Sequence, residues 1–338
     1  MIEIDGGYGE GGGQIVRTSI GLSCLTMKPV RITNIRAKRD KPGLTNQLVT
    51  AIRVMKDLTK ADVIGNEKGS RELTFTPREF THKKLREDVG TAGSVSLILQ
   101  MALIGCFNVT EEVEFELKGG TEVRWSPTID YVKNVTLRAL NEFGYEVDLK
   151  ILQRGYYPEG GGKVSVMIKP KKHCLEKHFL TQPDNPQISG VCVVTGLNME
   201  IAQRERVAIE KELKTLYRTV EITESARGTS VGTSCTLWLN NGFLGTDALG
   251  DRGKPAEDVG REAAERMNME IKSGAAVDEN LADNLVPFIA LCGGSFKTSS
   301  ITEHTRTNIF VTEQFLPVKF KVSDDNVVSV SSQAQLIQ

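Results

Sequence analysis

The segment Arg154-Gly155-Tyr156-Tyr157-Pro158-Glu159-Gly160-Gly161-Gly162-Lys163-Val164 lies between two stretches that alternate apolar and polar residues, near Tyr145–Leu152 and Gly162–Ile168. Alternation with a period of two is typical of β-strands with one buried face. Glycines between such stretches allow a tight turn, because glycine adopts backbone conformations that a Cβ disfavours. The segment therefore predicts two strands that close an α/β unit around a glycine-rich turn, whose glycines we interpret as structural.

The same order of elements recurs along the chain. The first ~170 residues, which include this turn, show a weak repeat of strand, glycine turn, helix, strand, helix and strands. The last part of the chain repeats it, with a helix at Asn280–Cys292, a strand at Ser295–Thr298, a helix start at His304, and two final strands. The fold class we predict is α/β (α+β): three repeated units, each with two helices on a small sheet.

The middle of the chain departs from this repeat. Polar, proline-bearing stretches around residues 169–173 and 182–187 mark boundaries, and the region between ~183 and 275 carries its own strands and helices. We therefore predict a repeat domain formed by residues 1–182 and 276–338, and a small α/β domain, 183–275, inserted between the second and third units.

Composition limits the classes of function. The 338-residue chain is 39% hydrophobic and 25% charged, with a formal net charge of -1. A net charge near zero does not indicate nucleic-acid binding by the protein as a whole, so any RNA contact must use a local basic patch. The N-terminus lacks the pattern of a signal peptide, and no apolar run has the length of a membrane span. We predict a cytoplasmic protein without a membrane partner, and the sequence leaves the oligomeric state open, a homo-oligomer included.

The six cysteines show no CxxC spacing, and most lie in apolar runs. Buried, reduced thiols are therefore expected, in preference to a disulfide framework or a zinc site.

A glycine-rich turn near the N-terminus precedes a helical pattern. Gly6, Gly7, Gly9 and Gly11–Gly13 lead into apolar residues at helical spacing from Ile15. The free N–H groups at such a helix start suit phosphate, and the alternative is a turn that only permits close packing. The sequence lacks the P-loop pattern. Four cations in six residues, Arg36, Lys38, Arg39 and Lys41, strengthen the phosphate interpretation.

His304 is the main candidate for chemistry. It sits at the start of a predicted helix, where a histidine is a cap, a core residue or a nucleophile. The flanking residues Glu303, Thr305, Arg306 and Thr307 are polar, which argues against a core position. Asn308 lies one helical turn further on, and we predict that it orients the imidazole. No other catalytic motif competes with this segment.

Several blocks resemble the RNA 3'-terminal phosphate cyclase family and stand in that family's order. They are Gly9-Glu10-Gly11-Gly12-Gly13-Gln14, Ile35–Arg39, Lys41–Leu44, the Arg154–Gly162 segment, Leu281-Ala282-Asp283 and His304. The resemblance runs over nearly the whole chain. It implies three units like the C-terminal domain of a translation initiation factor, with an inserted domain of thioredoxin-like layout.

The resemblance also implies a reaction and its participants. The family converts an RNA 3'-phosphate into a 2',3'-cyclic phosphodiester, consuming ATP and releasing AMP and pyrophosphate, so members are ATP-dependent ligases. In that family a histidine, here His304, attacks the α-phosphate of ATP and carries AMP covalently. The implied cofactors are ATP as co-substrate and Mg²⁺ or Mn²⁺, and the implied partner is RNA with a 3'-phosphate end.

The resemblance assigns roles to further site residues by their positions relative to the family's motifs. Glu10 matches the carboxylate that binds the divalent metal. The positions that match the phosphate and RNA-end pocket are Gln14, Arg17, Arg36, Arg39 and Gln47, and those that match the nucleotide site are Gln100, Pro127 and Asp283. Asn280 stands where some members carry an aromatic neighbour of adenine, which leaves the nucleotide preference open.

Two other functions compete with the cyclase. Non-catalytic relatives that act in ribosomal RNA processing share the glycine blocks but lack the nucleophilic histidine, so His304 favours the enzyme. Enolpyruvyl transferases use a similar repeat architecture, and the Arg154–Gly162 segment speaks against them.

Overall fold

The computed structural model describes residues 1–81, 84–213, 217–225 (backbone only) and 229–330. The first unit is a four-stranded sheet in the order β1-β2-β4-β3, in which β1 and β2 are parallel and the other pairs antiparallel. Its elements are β1 (Ile2–Asp5), α1 (Gln14–Thr26), β2 (Val30–Thr33), α2 (Asn46–Thr59), β3 (Asp62–Ile64) and β4 (Leu73–Thr76).

The second unit has the same connectivity, with the order β5-β6-β8-β7 and one parallel pair, β5 with β6. Its second helix contains a π-helical turn, Val132–Thr136, between two α-helical segments. The elements are β5 (Lys84–Asp88), α3 (Val95–Gly105), β6 (Val113–Gly119), α4 (Ile129–Tyr131), α5 (Leu137–Glu142), β7 (Val147–Gln153) and β8 (Gly162–Ile168). The two strands predicted around the glycine turn are therefore confirmed, as an antiparallel pair.

A short strand, β9 (Lys177–Phe179), precedes a module with its own sheet in the order β11-β10-β12-β13. The module comprises β10 (Gln187–Thr195), α6 (Met199–Glu212), β11 (Tyr217–Ser225), β12 (Gly232–Leu239), β13 (Gly245–Leu249) and α7 (Ala256–Ser273). Its apolar core is separate from that of the rest of the chain and includes Ile188, Leu237 and Met267. The domain limits at 182/183 and 275/276 stay predictions.

The third unit is completed after this module, in the order β15-β16-β14-β9 with β9 parallel to β14. It adds α8 (Glu279–Cys292), β14 (Gly294–Lys297), α9 (Glu303–Phe315), β15 (Phe320–Val322) and β16 (Val327–Val330). The three units thus share one strand order, which confirms the predicted α+β fold. The module enters after the first strand of the third unit, whereas the sequence predicted it between two units. The prediction missed β9, because three residues are too few to show a strand pattern in the sequence.

The helices pack against one another beneath the sheets. Helix α3 is apolar on nearly all sides and lies in the centre of the core, as expected for such a helix. Helix α1 packs against both α3 and α9, and α9 packs against α8. Elements from the two ends of the chain therefore meet. Among the described residues, no helix has the length and apolar character needed to cross a membrane.

The prediction of reduced cysteines is wrong for one pair. Cys174 and Cys292 form a disulfide, 118 residues apart in sequence. Pairing of β9 with β14 brings the segment before β9 beside the end of α8, a proximity that the spacing of cysteines does not encode. The other four cysteines are buried and free, as predicted: Cys24, Cys106, Cys192 and Cys235.

Candidate active site

The site is built where α1, α8 and α9 meet. Thr18 Oγ1 on α1 donates a hydrogen bond of 2.7 Å to Asn308 Oδ1 on α9. Asn308 Nδ2 in turn donates to the backbone oxygen of Asp283 on α8, also at 2.7 Å. The prediction that Asn308 orients the His304 ring is therefore wrong, because both ends of its amide hold the three helices together.

The N-terminal glycine segment lies over the start of α9. The rings of Tyr8 and Phe310 stack with their centres 4.0 Å apart. Gly9 has a φ of +57°, and a Cβ there would come within 2.6 Å of Thr307 Oγ1. Only glycine fits both the backbone conformation and this close approach, which brings the following residue, Glu10, beside His304.

His304, Glu10 and Arg39 form a polar cluster at the surface of this junction. Glu10 Oε2 lies 3.7 Å from His304 Nε2 and accepts a hydrogen bond of 2.9 Å from Arg39 Nη2. Partial burial lowers the pKa of His304; Glu10 opposes the shift, and Arg17 and Arg39 add to it. The imidazole is therefore held in its neutral, nucleophilic form near pH 7.

The start of α1 provides a place for an anion. Gly13 is the N-cap of α1 and supplies no side chain to bond the free N–H groups of the first turn. A Cβ would lie 3.1 Å from Arg39 Nη2 if placed at Gly12 and 3.3 Å from Arg17 Nη1 if placed at Gly13. Lys38 Nζ donates to the Gly9 carbonyl at 2.7 Å. Free N–H groups, a helix N-terminus and guanidinium groups together favour binding of phosphate.

Arg17 and Asp283 are both half-buried and line the same cavity as His304. Burial lowers the pKa of Arg17 to about 10, although Asp283 opposes the shift. Burial also raises the pKa of Asp283 to about 7, despite a hydrogen bond of 3.2 Å from Gln14 Nε2. Arg17 Nε is buried without a hydrogen-bond partner among the described residues. A buried donor of this kind fits an anionic ligand, because burial of an unpaired donor is unfavourable.

A cavity of about 750 Å³ opens in front of these residues, within the range of small-molecule sites. Six of the predicted site residues line it: Gln14, Arg17, Gln100, Pro127, Asp283 and His304. The inserted module forms part of the wall through Gly245, Thr246, Asp247, Arg266, Met269 and Glu270. Asn280 also lines the cavity.

Four of the predicted residues do not line this cavity: Glu10 and Arg39, which contact each other beside His304, and Arg36 and Gln47. Arg36 Nη1 donates to the carbonyls of Lys41 at 2.7 Å and Gly43 at 3.0 Å, and so shapes the basic loop. Gln47 Oε1 accepts from the backbone N–H of Ser94 at 3.1 Å, just before α3. Their roles toward phosphate or RNA stay predictions.

Glu10 is the residue expected to bind Mg²⁺ or Mn²⁺. Over the described residues, three or more metal-binding side chains come together only at Cys192, Glu205 and Cys235, which are buried in the inserted module. Glu10 therefore supplies only part of a coordination shell. That fits Mg²⁺, which is commonly held by one or two carboxylates together with substrate phosphates and water.

Several cavity residues were not predicted from the sequence. Thr128 caps α4, accepting from the Tyr131 N–H at 3.2 Å. Ser126 Oγ donates to the Val123 carbonyl at 2.9 Å, within a loop that also carries Trp125 to the cavity. The residues from the inserted module carried no local signal, because only the fold brings them to the site.

Comparison with known proteins agrees with this geometry. Residues 8–322 match the family model described as RNA 3'-terminal phosphate cyclase. A protein of that name from Pyrococcus furiosus is 45% identical over 328 residues, covering 95% of each chain. Its namesake from Methanosarcina barkeri is 44% identical over 95% of this chain and 96% of its own. One from Archaeoglobus fulgidus is 42% identical over 97% of this chain and 99% of its own. These matches confirm the resemblance seen in the motifs: the chain belongs to the RNA 3'-terminal phosphate cyclase family.

Proposed function

We propose that this protein uses ATP to convert the 3'-terminal phosphate of RNA into a 2',3'-cyclic phosphodiester, with AMP carried on His304. The observation that supports this most directly is the position of His304, half-exposed at the wall of the cavity and 3.7 Å from Glu10. The cations that surround it, Arg17 and Arg39, suit a polyphosphate. Family membership supports the same class of substrate.

In the first step, a neutral nitrogen of His304 attacks the α-phosphorus of ATP. A P–N bond forms, the bond between the α-phosphorus and the bridging oxygen breaks, and pyrophosphate leaves with that electron pair. Arg39 and the free N–H groups at the start of α1 offset the negative charge of the phosphates. The lowered pKa of His304 keeps its lone pair free for this attack.

In the second step, an oxygen of the RNA 3'-phosphate attacks the same phosphorus, and the P–N bond breaks. The RNA end then carries AMP through a pyrophosphate linkage. In the third step, the neighbouring 2'-OH loses its proton and attacks the 3'-phosphorus, AMP leaves, and the ring closes. The 2'-OH is already held beside its target, so proximity favours this intramolecular step.

A divalent ion would be held by Glu10 together with substrate oxygens. When bound, Mg²⁺ or Mn²⁺ neutralises phosphate charge and polarises the reacting phosphoryl group. We expect Glu10→Ala to weaken adenylylation and to shift its metal titration to higher concentration. An unchanged metal titration would remove Glu10 as a ligand.

The decisive experiment incubates the protein with ATP labelled at the α-phosphate and with Mg²⁺ or Mn²⁺, without RNA. We expect acid-labile label on the wild type and none on His304→Ala. His178→Ala is the matched control, because His178 is an exposed histidine that contacts Ser295 through Nδ1 at 2.8 Å, outside the cavity. It should be labelled like the wild type.

Two results would contradict the proposal. Label on folded His304→Ala would exclude His304 as the nucleophile. Absence of label on the folded wild type would leave ATP-dependent adenylylation unsupported and would favour a non-catalytic role in ribosomal RNA processing.

A further inference from the structure

Trp125 has a conformation and an exposure that the stability of the fold does not explain. Its side chain is 93% exposed, and its φ is +61°. A bulky side chain in the left-handed region is disfavoured, and an exposed indole contributes almost no buried apolar area in return. Residues held in such conformations cluster at functional sites. Trp125 also lines the cavity that contains His304.

The loop around Trp125, residues 121–129, is fixed on both sides. At its base, the Ile129 N–H donates to the Thr121 carbonyl at 3.1 Å. Arg124 forms an ion pair with Asp251 of the inserted module. The surrounding structure therefore holds the strained residue in place.

The C-terminal side of the loop is anchored to the same module. The Thr128 N–H donates to Asp247 Oδ2 at 2.8 Å, and Thr128 Oγ1 lies 2.8 Å from Thr236 Oγ1. Within this fully described segment only Arg124 and Trp125 are exposed. The result is a rigid loop that presents one indole to the cavity.

We propose that Trp125 is a stacking surface for a nucleobase that enters this cavity. Every nucleobase has a flat π face, and stacking on an exposed aromatic ring is how proteins commonly hold an unpaired base. Pro127 and the exposed Met269 line the same cavity and add apolar surface. This inference rests on the proposed function, which supplies two sources of a base: the adenine of ATP and the 3'-terminal base of the RNA.

Intrinsic fluorescence tests the contact directly. The chain has two tryptophans, so Trp238→Phe leaves Trp125 as the sole reporter. In the full-length protein carrying Trp238→Phe, with His304→Ala to prevent turnover, the probes are ATP, inorganic tripolyphosphate and a short RNA with a 3'-phosphate. Quenching by ATP but not by tripolyphosphate assigns the base to adenine, and quenching by RNA alone assigns it to the RNA end. Either result supports the proposal.

Variants separate a ligand contact from a structural role. Trp125→Ala should weaken binding of the quenching ligand roughly 5- to 150-fold, the range that loss of one stacking contact produces. Trp125→Phe should retain most of the affinity. Trp125→Asn, a residue type that tolerates positive φ, should leave Tm unchanged or raised while binding falls as in Trp125→Ala. Tyr157→Ala is the matched control, since Tyr157 is 77% exposed but does not line the cavity.

Retention of labelled ATP and RNA on the protein, measured by equilibrium dialysis, completes the test. If either ligand binds but fluorescence does not change and Trp125→Ala binds equally well, the stacking proposal is overturned while the proposed function stands. If the folded protein binds neither ligand, the proposed function fails, and this proposal fails with it.

Discussion

Asp283→Asn should make the protein more stable, and increasingly so as the pH rises. Asp283 is half-buried in the cavity that His304 also lines, and this burial raises its pKa from 3.8 to about 7 even with Arg17 nearby and a hydrogen bond from Gln14. The raised pKa means that the ionised carboxylate is less favourable in the folded protein than in the unfolded chain. Asparagine has nearly the same shape, keeps an oxygen for Gln14 and cannot ionise.

The size and sign of the effect follow from the two pKa values. A shift from 3.8 to about 7 corresponds to ~4 kcal/mol of unfolding free energy. Below pH ~4 the carboxyl is neutral in both states, so the wild type loses nothing relative to Asp283→Asn. As the pH rises from the pKa of Asp283 in the unfolded chain toward its pKa in the folded protein, Asp283 ionises first in the unfolded chain, and the wild type loses stability. Above pH ~7 the difference is constant.

The assay is urea unfolding of both proteins at several pH values between 4 and 8.5. The free energy of unfolding of Asp283→Asn minus that of the wild type should grow from near zero to ~4 kcal/mol. Asp325→Asn is the control, because Asp325 is exposed and a hydrogen bond from Ser323 lowers its pKa, so this variant should not gain stability as the pH rises. A stability difference between Asp283→Asn and the wild type that is equal at pH 4.5 and pH 8, or a loss of stability at pH 8, would contradict the raised pKa of Asp283.

Two further predictions concern the nucleophile and a buried ion cluster. Burial lowers the pKa of His304, so the initial rate of label transfer from ATP should fall only in acid, with a midpoint below the ordinary pKa of 6.5. At higher pH the titration of His304 should no longer change this rate. A midpoint above 6.5 would contradict the prediction. Arg154 Nη1 donates to Glu122 Oε1 at 2.6 Å and to Asp130 Oδ2 at 2.5 Å, all three being buried. Arg154→Met should therefore lower the free energy of unfolding by about 3–5 kcal/mol in urea titrations, because it leaves two buried carboxylates without a cation; a loss below ~1 kcal/mol would show that the cluster contributes little.

Much of the fold was predictable because its signals are local. The strand before the first glycines, the two strands around Gly160–Gly162 and the helix that begins near His304 each follow from periodicity or turn chemistry over a few residues. The repeat was visible for the same reason, since each unit reuses the same order of elements. Strand β9 was missed because its three residues show no pattern, and this misplaced the point where the module enters.

The candidate site was predictable only as a set of residues. The resemblance selected Glu10, Gln14, Arg17 and His304, and the structure places these residues together. The resemblance could not show that Asn308 forms hydrogen bonds with Thr18 and with the Asp283 carbonyl, because those partners lie far away in the chain.

The longer helices and strands, the repeat and the resemblance to the family could be predicted from the sequence, because they depend on residues that are neighbours along the chain. Only tertiary packing produces the Cys174–Cys292 disulfide, the cavity wall supplied by the inserted module, and the exposure of Trp125. Each of these depends on which surfaces pack together. Thr18 and Asn308, 290 residues apart, form one of the hydrogen bonds that join the two ends of the chain at the site. Distances of this kind are set by packing of whole helices and sheets, which no short window of sequence contains.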